Sequence, residues 1–328
     1  MRTLPSLVIC LCVFACPAFA ADQPLILEGE IPLGPIAGRI DHLAIDVKRE
    51  RLFIAELGND TVGVVDLRAG KLIRNLANEH EPQGLGYVAA TDTLYVAAGE
   101  SGTVDLYQGE DLTPDGRIEL GDDADDIRVD PRTNEVVVGY GGGGIATIDS
   151  AAHKKTADAQ LPHHPEGFEL SDDGTKIFVN VPLSGGIDVI DRKSGTVVAT
   201  WSLNGAHLNF PMATDHANGR ILIATRFPAR LLVFDAETGK AMDRAKVCGD
   251  SDDLFVDGKR NRVYVICGEG YIDTFAFDGR AYRRIAHMRT VGGARTGLFS
   301  PDLDRLYLAV RARGDSKPAV WVYRSTTP

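Results

Sequence analysis

Beyond residue 20 this chain has no long apolar run, which excludes a later membrane-crossing helix. Basic charge is also short. Lys and Arg number 35 against 46 Asp and Glu, for a net charge of −11. A polyanion partner such as nucleic acid needs a basic stripe, so that class is excluded, while solubility and cation binding fit the balance. Cysteine is scarce: Cys10, Cys12 and Cys16 lie in the first twenty residues, which leaves Cys248 and Cys267. There is no C-x-x-C and no H-E-x-x-H, so any metal ligands must come from distant parts of the chain. Linkers, low-complexity stretches and sustained helical periodicity are missing too, which points to one all-β domain.

What stands at the start is a leader. Arg2 is followed by an apolar stretch from Leu4 to Cys16 and then by Ala18-Phe19-Ala20. A positive start, a short apolar run and an A-x-A site predict a signal peptide over residues 1–20, with residues 21–328 as the exported domain. Val13-Phe14-Ala15-Cys16 leaves a second option, acylation at Cys16 as a lipoprotein. The expected location is periplasmic or secreted. There the even pair Cys248 and Cys267 is predicted to form a disulfide.

What fills the rest is a repeat. The stretches DHLAID, PQGLGY, DDIRVD, EGFELS, FPMATD, DDLFVD and RTGLFS align on Leu43, Leu85, Ile127, Phe168, Met212, Leu254 and Leu298. Their spacings are 42, 42, 41, 44, 42 and 44. Each unit reads as strand, polar turn, β-branched strand, Gly-containing loop, third strand, tight turn and fourth strand. Seven such units predict a seven-bladed β-propeller with four-stranded blades. The seventh unit stops after AVWVYR, while Leu25–Leu33 is a spare strand near the start. The ring is therefore expected to close by that strand completing the last blade.

Repeats such as IFVNVPLSGGIDVIDRKSGTVVATW and ILIATRFPARLLVFDAETGKAM resemble the forty-residue YVTN repeat of YncE-like propellers. The resemblance covers nearly all of the expected mature chain and implies the fold. It carries no catalytic residue onto this sequence. Gluconolactonase-like propellers have an EGP-type motif at the first blade, where this chain reads GRIDHLAID.

With four strands per blade, the blade-to-blade loops and the loops between second and third strands open on one face, and the other turns open on the opposite face. Loops on a rigid scaffold carry function. His42, His80, His163, His164 and His207 all fall in blade-to-blade loops, at the expected mouth of the central channel. Two residues before each anchor the ring reads Asp41, Gln83, Asp125, Glu166, Phe210, Asp252 and Thr296. Arg39, Arg226, Arg230 and Arg295 share this face. The candidate ligand-binding set is Arg39, Asp41, His42, His80, Glu81, Asp125, His164, Glu166, His207, Asp252 and Arg295. Imidazole with carboxylate suits a divalent metal, for which His42, His80, His164, His207 and Glu166 are the candidates. The consecutive acids Asp125-Asp126 and Asp252-Asp253 are expected to anchor one blade to the next rather than to act as an acid–base pair. The opposite face, with Lys48, Arg49, Lys176, Lys193, Lys240, Lys259 and Arg260, reads as ordinary solvated turns. Three functions stay open: a module binding a small molecule, metal or envelope protein; a metal-assisted lactonase, hydrolase or lyase; and a passive envelope scaffold.

Overall fold

A computed structural model describes residues 23–327. The expected leader and Cys16 lie outside the described residues. The described residues form seven four-stranded antiparallel sheets, each a blade. Their inner strands are Leu43–Asp46, Pro82–Val88, Ala124–Val129, Phe168–Leu170, His207–Asp215, Ser251–Asp257 and Gly297–Ser300, each carrying its anchor residue. Leu25–Pro32 pairs antiparallel with Ala319–Ser325 and is the outer strand of the seventh blade, so the ring closes as expected.

Burial explains the sequence pattern. The second strands Arg51–Glu56 and Thr93–Ala98 are buried at every position, because both their faces meet a neighbouring blade. That is why they read as continuous apolar runs. The outer strand Lys154–Gln160 is buried only at Ala159 and is polar accordingly. The core is divided into wedges between adjacent blades. Trp201, for example, lies between Phe178 and Phe234 at ring-centroid distances of 5.2 and 6.0 Å.

The inner strands carry two devices that shape the channel. The first is the bulge. Register slips between Pro82 and Leu85, Ala124 and Ile127, Asn209 and Met212, and Ser251 and Asp253. A bulge breaks the alternation of side chains and re-aims them. The second is close approach at glycine. A Cβ on Gly84 would stand 2.0 Å from the Asp125 carbonyl oxygen, and one on Gly167 would stand 2.5 Å from that of Phe210. Only glycine lets these inner strands meet, and Gly167 N–H donates to the Phe210 carbonyl at 3.1 Å.

The face opposite the mouth is more than solvated turns, which corrects the expectation for Arg49 and Arg260. Arg49 binds Asp46 of the first blade at 3.0 Å and Asp92 of the second at 2.7 Å. Arg260 joins Asp257 of the sixth blade to Asp304 of the seventh, each at 3.0 Å. Arg192 reaches Asp130 across the third and fourth blades at 2.6 Å. Asp46, Asp130 and Asp257 are buried, and a buried carboxylate must be paired. Composition counts these charges without showing which of them meet.

Candidate functional site

The bulges bring both members of each acid pair to the channel. Asp125, Asp126, Asp252 and Asp253 line one cavity with His42, Arg128, Glu166 and Phe210. This neck holds about 30 Å³, the room of about one water. Below it the channel widens to about 330 Å³ between Leu43, Leu85, Tyr87, Phe255, Leu298 and Phe299.

Arginines clamp one side of the mouth. Asp252 takes Arg295 Nε at 2.7 Å and Arg226 Nη2 at 2.5 Å. Asp250 meets the same two guanidinium groups at 3.2 and 3.3 Å. The Arg226 guanidinium also lies 3.7 Å from the centre of the Phe210 ring, a cation–π contact. The Cys248–Cys267 disulfide ties down this acidic segment, and Gly268 N–H donates to the Asp250 carbonyl at 2.7 Å. On the other side Arg39 pairs with Asp41. His164 has one ring nitrogen 2.6 Å from the Gly141 carbonyl oxygen and the other 3.4 Å from Asp125. With acceptors at both nitrogens the ring is held as imidazolium.

Burial and crowding shift the site's acids. Burial, followed by the nearby charges of Asp125 and Asp252, pushes the Glu166 carboxyl up to about 8, against the opposing pull of His164. Asp252 is pushed up to about 7 by burial despite Arg295 and Arg226. Asp125 is raised, again chiefly by burial. The hydrogen bond with Asp125 lifts His164 to about 9, although its own burial opposes this. Burial lowers His42, but Asp253, Asp126 and Asp41 together hold it well above the ordinary imidazole range. Glu166 stands apart: among the described residues no side chain or backbone donor hydrogen-bonds its carboxyl, which faces the neck. It can hold a proton at neutral pH or accept a donor from a ligand.

Of the sequence candidates, Arg39, Asp41, His42, Asp125, His164, Glu166, Asp252 and Arg295 come together around the neck. His80, Glu81 and His207 do not join them. His80 is exposed and faces Glu100 at 3.5 Å. Glu81 is exposed, and its carbonyl accepts from Gly99 N–H. His207 is exposed on the rim, paired in register with Phe227. The proposed metal set is therefore not assembled: among the described residues no three His, Cys, Asp or Glu side chains group as ligands. Asp253 is the blade anchor it was expected to be, accepting Gly297 N–H at 2.7 Å, while its other oxygen lies 3.4 Å from His42. Sequence reasoning missed Arg128, which binds Asp126 and lies 3.3 Å from Glu169. Its signal was its place one residue past the anchor Ile127, on the same inner strand.

No protein-family model and no curated protein matches the chain. Among solved structures, 1775 chains match, so the likeness is to a widespread architecture and selects no function. One is from the hydrazine synthase of Kuenenia stuttgartiensis, at 19% identity and a TM-score of 0.77, covering 92% of this chain and 100% of that one. Another, from a crystal structure of the mitotic checkpoint complex, is 14% identical with a TM-score of 0.77 and covers 99% and 100%. At these identities the likeness shows the propeller fold alone.

Proposed function

We propose that the protein is an exported, YncE-like propeller that binds a small polar ligand at the channel mouth. The ligand's hydrogen-bond-donating head group, such as a primary ammonium, would seat against Glu166. The observation that supports this is the Glu166 carboxyl, half-buried at the edge of the neck without a donor while the other mouth acids have arginine or histidine partners. A carboxyl in that state is open to a donor from a ligand or from water. The narrow neck admits a small head group and leaves the rest of the ligand on the open face. Binding of a cation would ionise Glu166, so affinity should rise with pH between 6 and about 8.

The test is a thermal-shift and calorimetric screen of small primary amines and amino alcohols, run at pH 6 and pH 8. Glu166→Gln should abolish the response while the fold persists. A response unchanged in Glu166→Gln would refute the assignment. Divalent metal is the rival occupant, and elemental analysis of the purified protein checks it: a stoichiometric ion would displace the amine reading.

A further inference from the structure

We infer a second, anion-binding site on the rim of the mouth face. There Arg311 and Arg313 converge on the Gly292–Gly293 turn to hold the oxyanion group, phosphate or carboxylate, of a small dissolved ligand. The inference does not depend on the channel reading.

Both arginines lie in the loop between the second and third strands of the seventh blade. The two glycines lie in the loop that enters the same blade. A Cβ placed on Gly293 would stand 2.8 Å from Arg311 Nε and 3.1 Å from Arg313 Nη1; one on Gly292 would stand 3.2 Å from Arg313 Nη1. The two guanidinium groups thus lie within about 6 Å of each other, close enough for like charges to repel. Among the described residues neither makes an ion pair or a side-chain hydrogen bond. Arg49, Arg51, Arg128, Arg192, Arg226 and Arg260 have carboxylate partners, whereas Arg311 and Arg313 are left side by side over one glycine turn. Two unneutralised guanidinium groups over a surface without side chains make a forked, cationic seat that matches the geometry of an oxyanion.

The seat is built on fixed backbone. Gly293 has φ +88°, which glycine adopts without strain, and its N–H donates to the Gly268 carbonyl at 2.7 Å, next to the disulfide. The arginine loop is closed by Arg313 N–H to the Ser316 carbonyl at 3.2 Å and by the reverse bond at 3.0 Å. The triplet Arg313-Gly314-Asp315 is therefore the tip of a closed turn. Arg295, two residues after Gly293, is already held by Asp252 and Asp250 and does not compete for the anion.

The test is calorimetric titration of the full chain with inorganic phosphate at low ionic strength. We expect binding by the parent, about tenfold weaker binding by R311A/R313A, and an intermediate loss in R311K/R313K, which keeps the charge but not the fork. R68A on the opposite face and E166Q in the neck should bind phosphate as the parent does. Retention by E166Q separates this site from the channel. Equal phosphate affinity in the parent and R311A/R313A overturns the inference, as does a parent that binds no phosphate. Binding to phosphatidylglycerol vesicles without binding of free phosphate also overturns it, because the seat would then read a lipid surface.

Discussion

Glu56 and Glu166 are both carboxyls raised by burial, and they show two uses of the same physics. Glu166 borders an opening. Glu56 is sealed: it is 0% exposed, one oxygen takes the Thr61 hydroxyl at 2.5 Å, and the other has no partner. Gly63 makes room for it, since a Cβ there would stand 2.6 Å from Glu56 Oε1. Burial pushes Glu56 up to about 7, against the Thr61 hydrogen bond, and Glu79 is likewise pushed to about 7 by burial. A carboxyl whose folded pKa exceeds its unfolded one binds more protons in the native state. Its favourable contribution is complete below the unfolded value near 4.5 and is lost as pH rises through about 7. His164, raised to about 9, has the same sign over its own window, from 6.5 upward. Stability should therefore fall from about pH 5 to pH 9. Glu56→Gln should raise unfolding free energy at pH 8 by on the order of 1–3 kcal/mol and change it little at pH 5. Urea unfolding at the two pH values decides this; an equal effect at both would mean that Glu56 does not titrate near neutrality.

At the scale of the element, the inner strand of the sixth blade and the loop before it carry three of the mouth's acids, Asp250, Asp252 and Asp253. Cys248 leads into Gly249, Asp250, Ser251 and Asp252, and its bond to Cys267 spans 19 residues. Closing a loop of that size restricts the unfolded chain by about 3 kcal/mol. Cys248→Ser with Cys267→Ser should lower unfolding free energy by up to about 3 kcal/mol. It should also loosen the Asp250–Asp252 clamp on Arg226 and Arg295. Denaturant melts of the double variant, and of reduced parent, read the first effect; unchanged melts would leave the disulfide without a structural role. The cysteine pair was legible in the sequence because only two remained and both fell near one face. The bulges were not. Strict alternation would send Asp126 and Asp253 away from the channel when Asp125 and Asp252 face it. Only the register slip beside them turns both acids inward. A bulge depends on hydrogen bonds between strands, which a repeat alignment does not contain.

At the scale of the molecule, the fold was legible because every blade repeats the same constraint: a first-strand anchor, a doubly buried second strand and turns in fixed order. The site was only partly legible. Loop position put His80 and His207 on the correct face, but distance from the channel axis depends on how each loop folds back. His80 turns outward to Glu100. Closure of the ring was readable from arithmetic alone, a missing last strand and a spare first one, and it makes the strongest test of the whole. Leu25 is 2% exposed and packs with Tyr264, Leu306 and Tyr323 between the sixth and seventh blades. Ile31 packs with Tyr307, Val320 and Leu52 between the seventh and first. One strand thus seals two wedges, and Thr326 N–H to the Pro24 carbonyl at 3.1 Å draws the two ends of the described chain together. Deleting residues 25–32 would bare the edge of Ala319–Ser325 and two apolar faces at once, and an unpaired edge beside exposed apolar surface invites association. The truncated chain should melt at a markedly lower temperature and elute as oligomers or aggregate. Supplying the strand in trans, as a peptide covering residues 23–33, should restore part of the lost melting temperature, because the edge it pairs with is otherwise intact. A truncated chain that stays monomeric and melts with the parent would show that the ring holds without this strand.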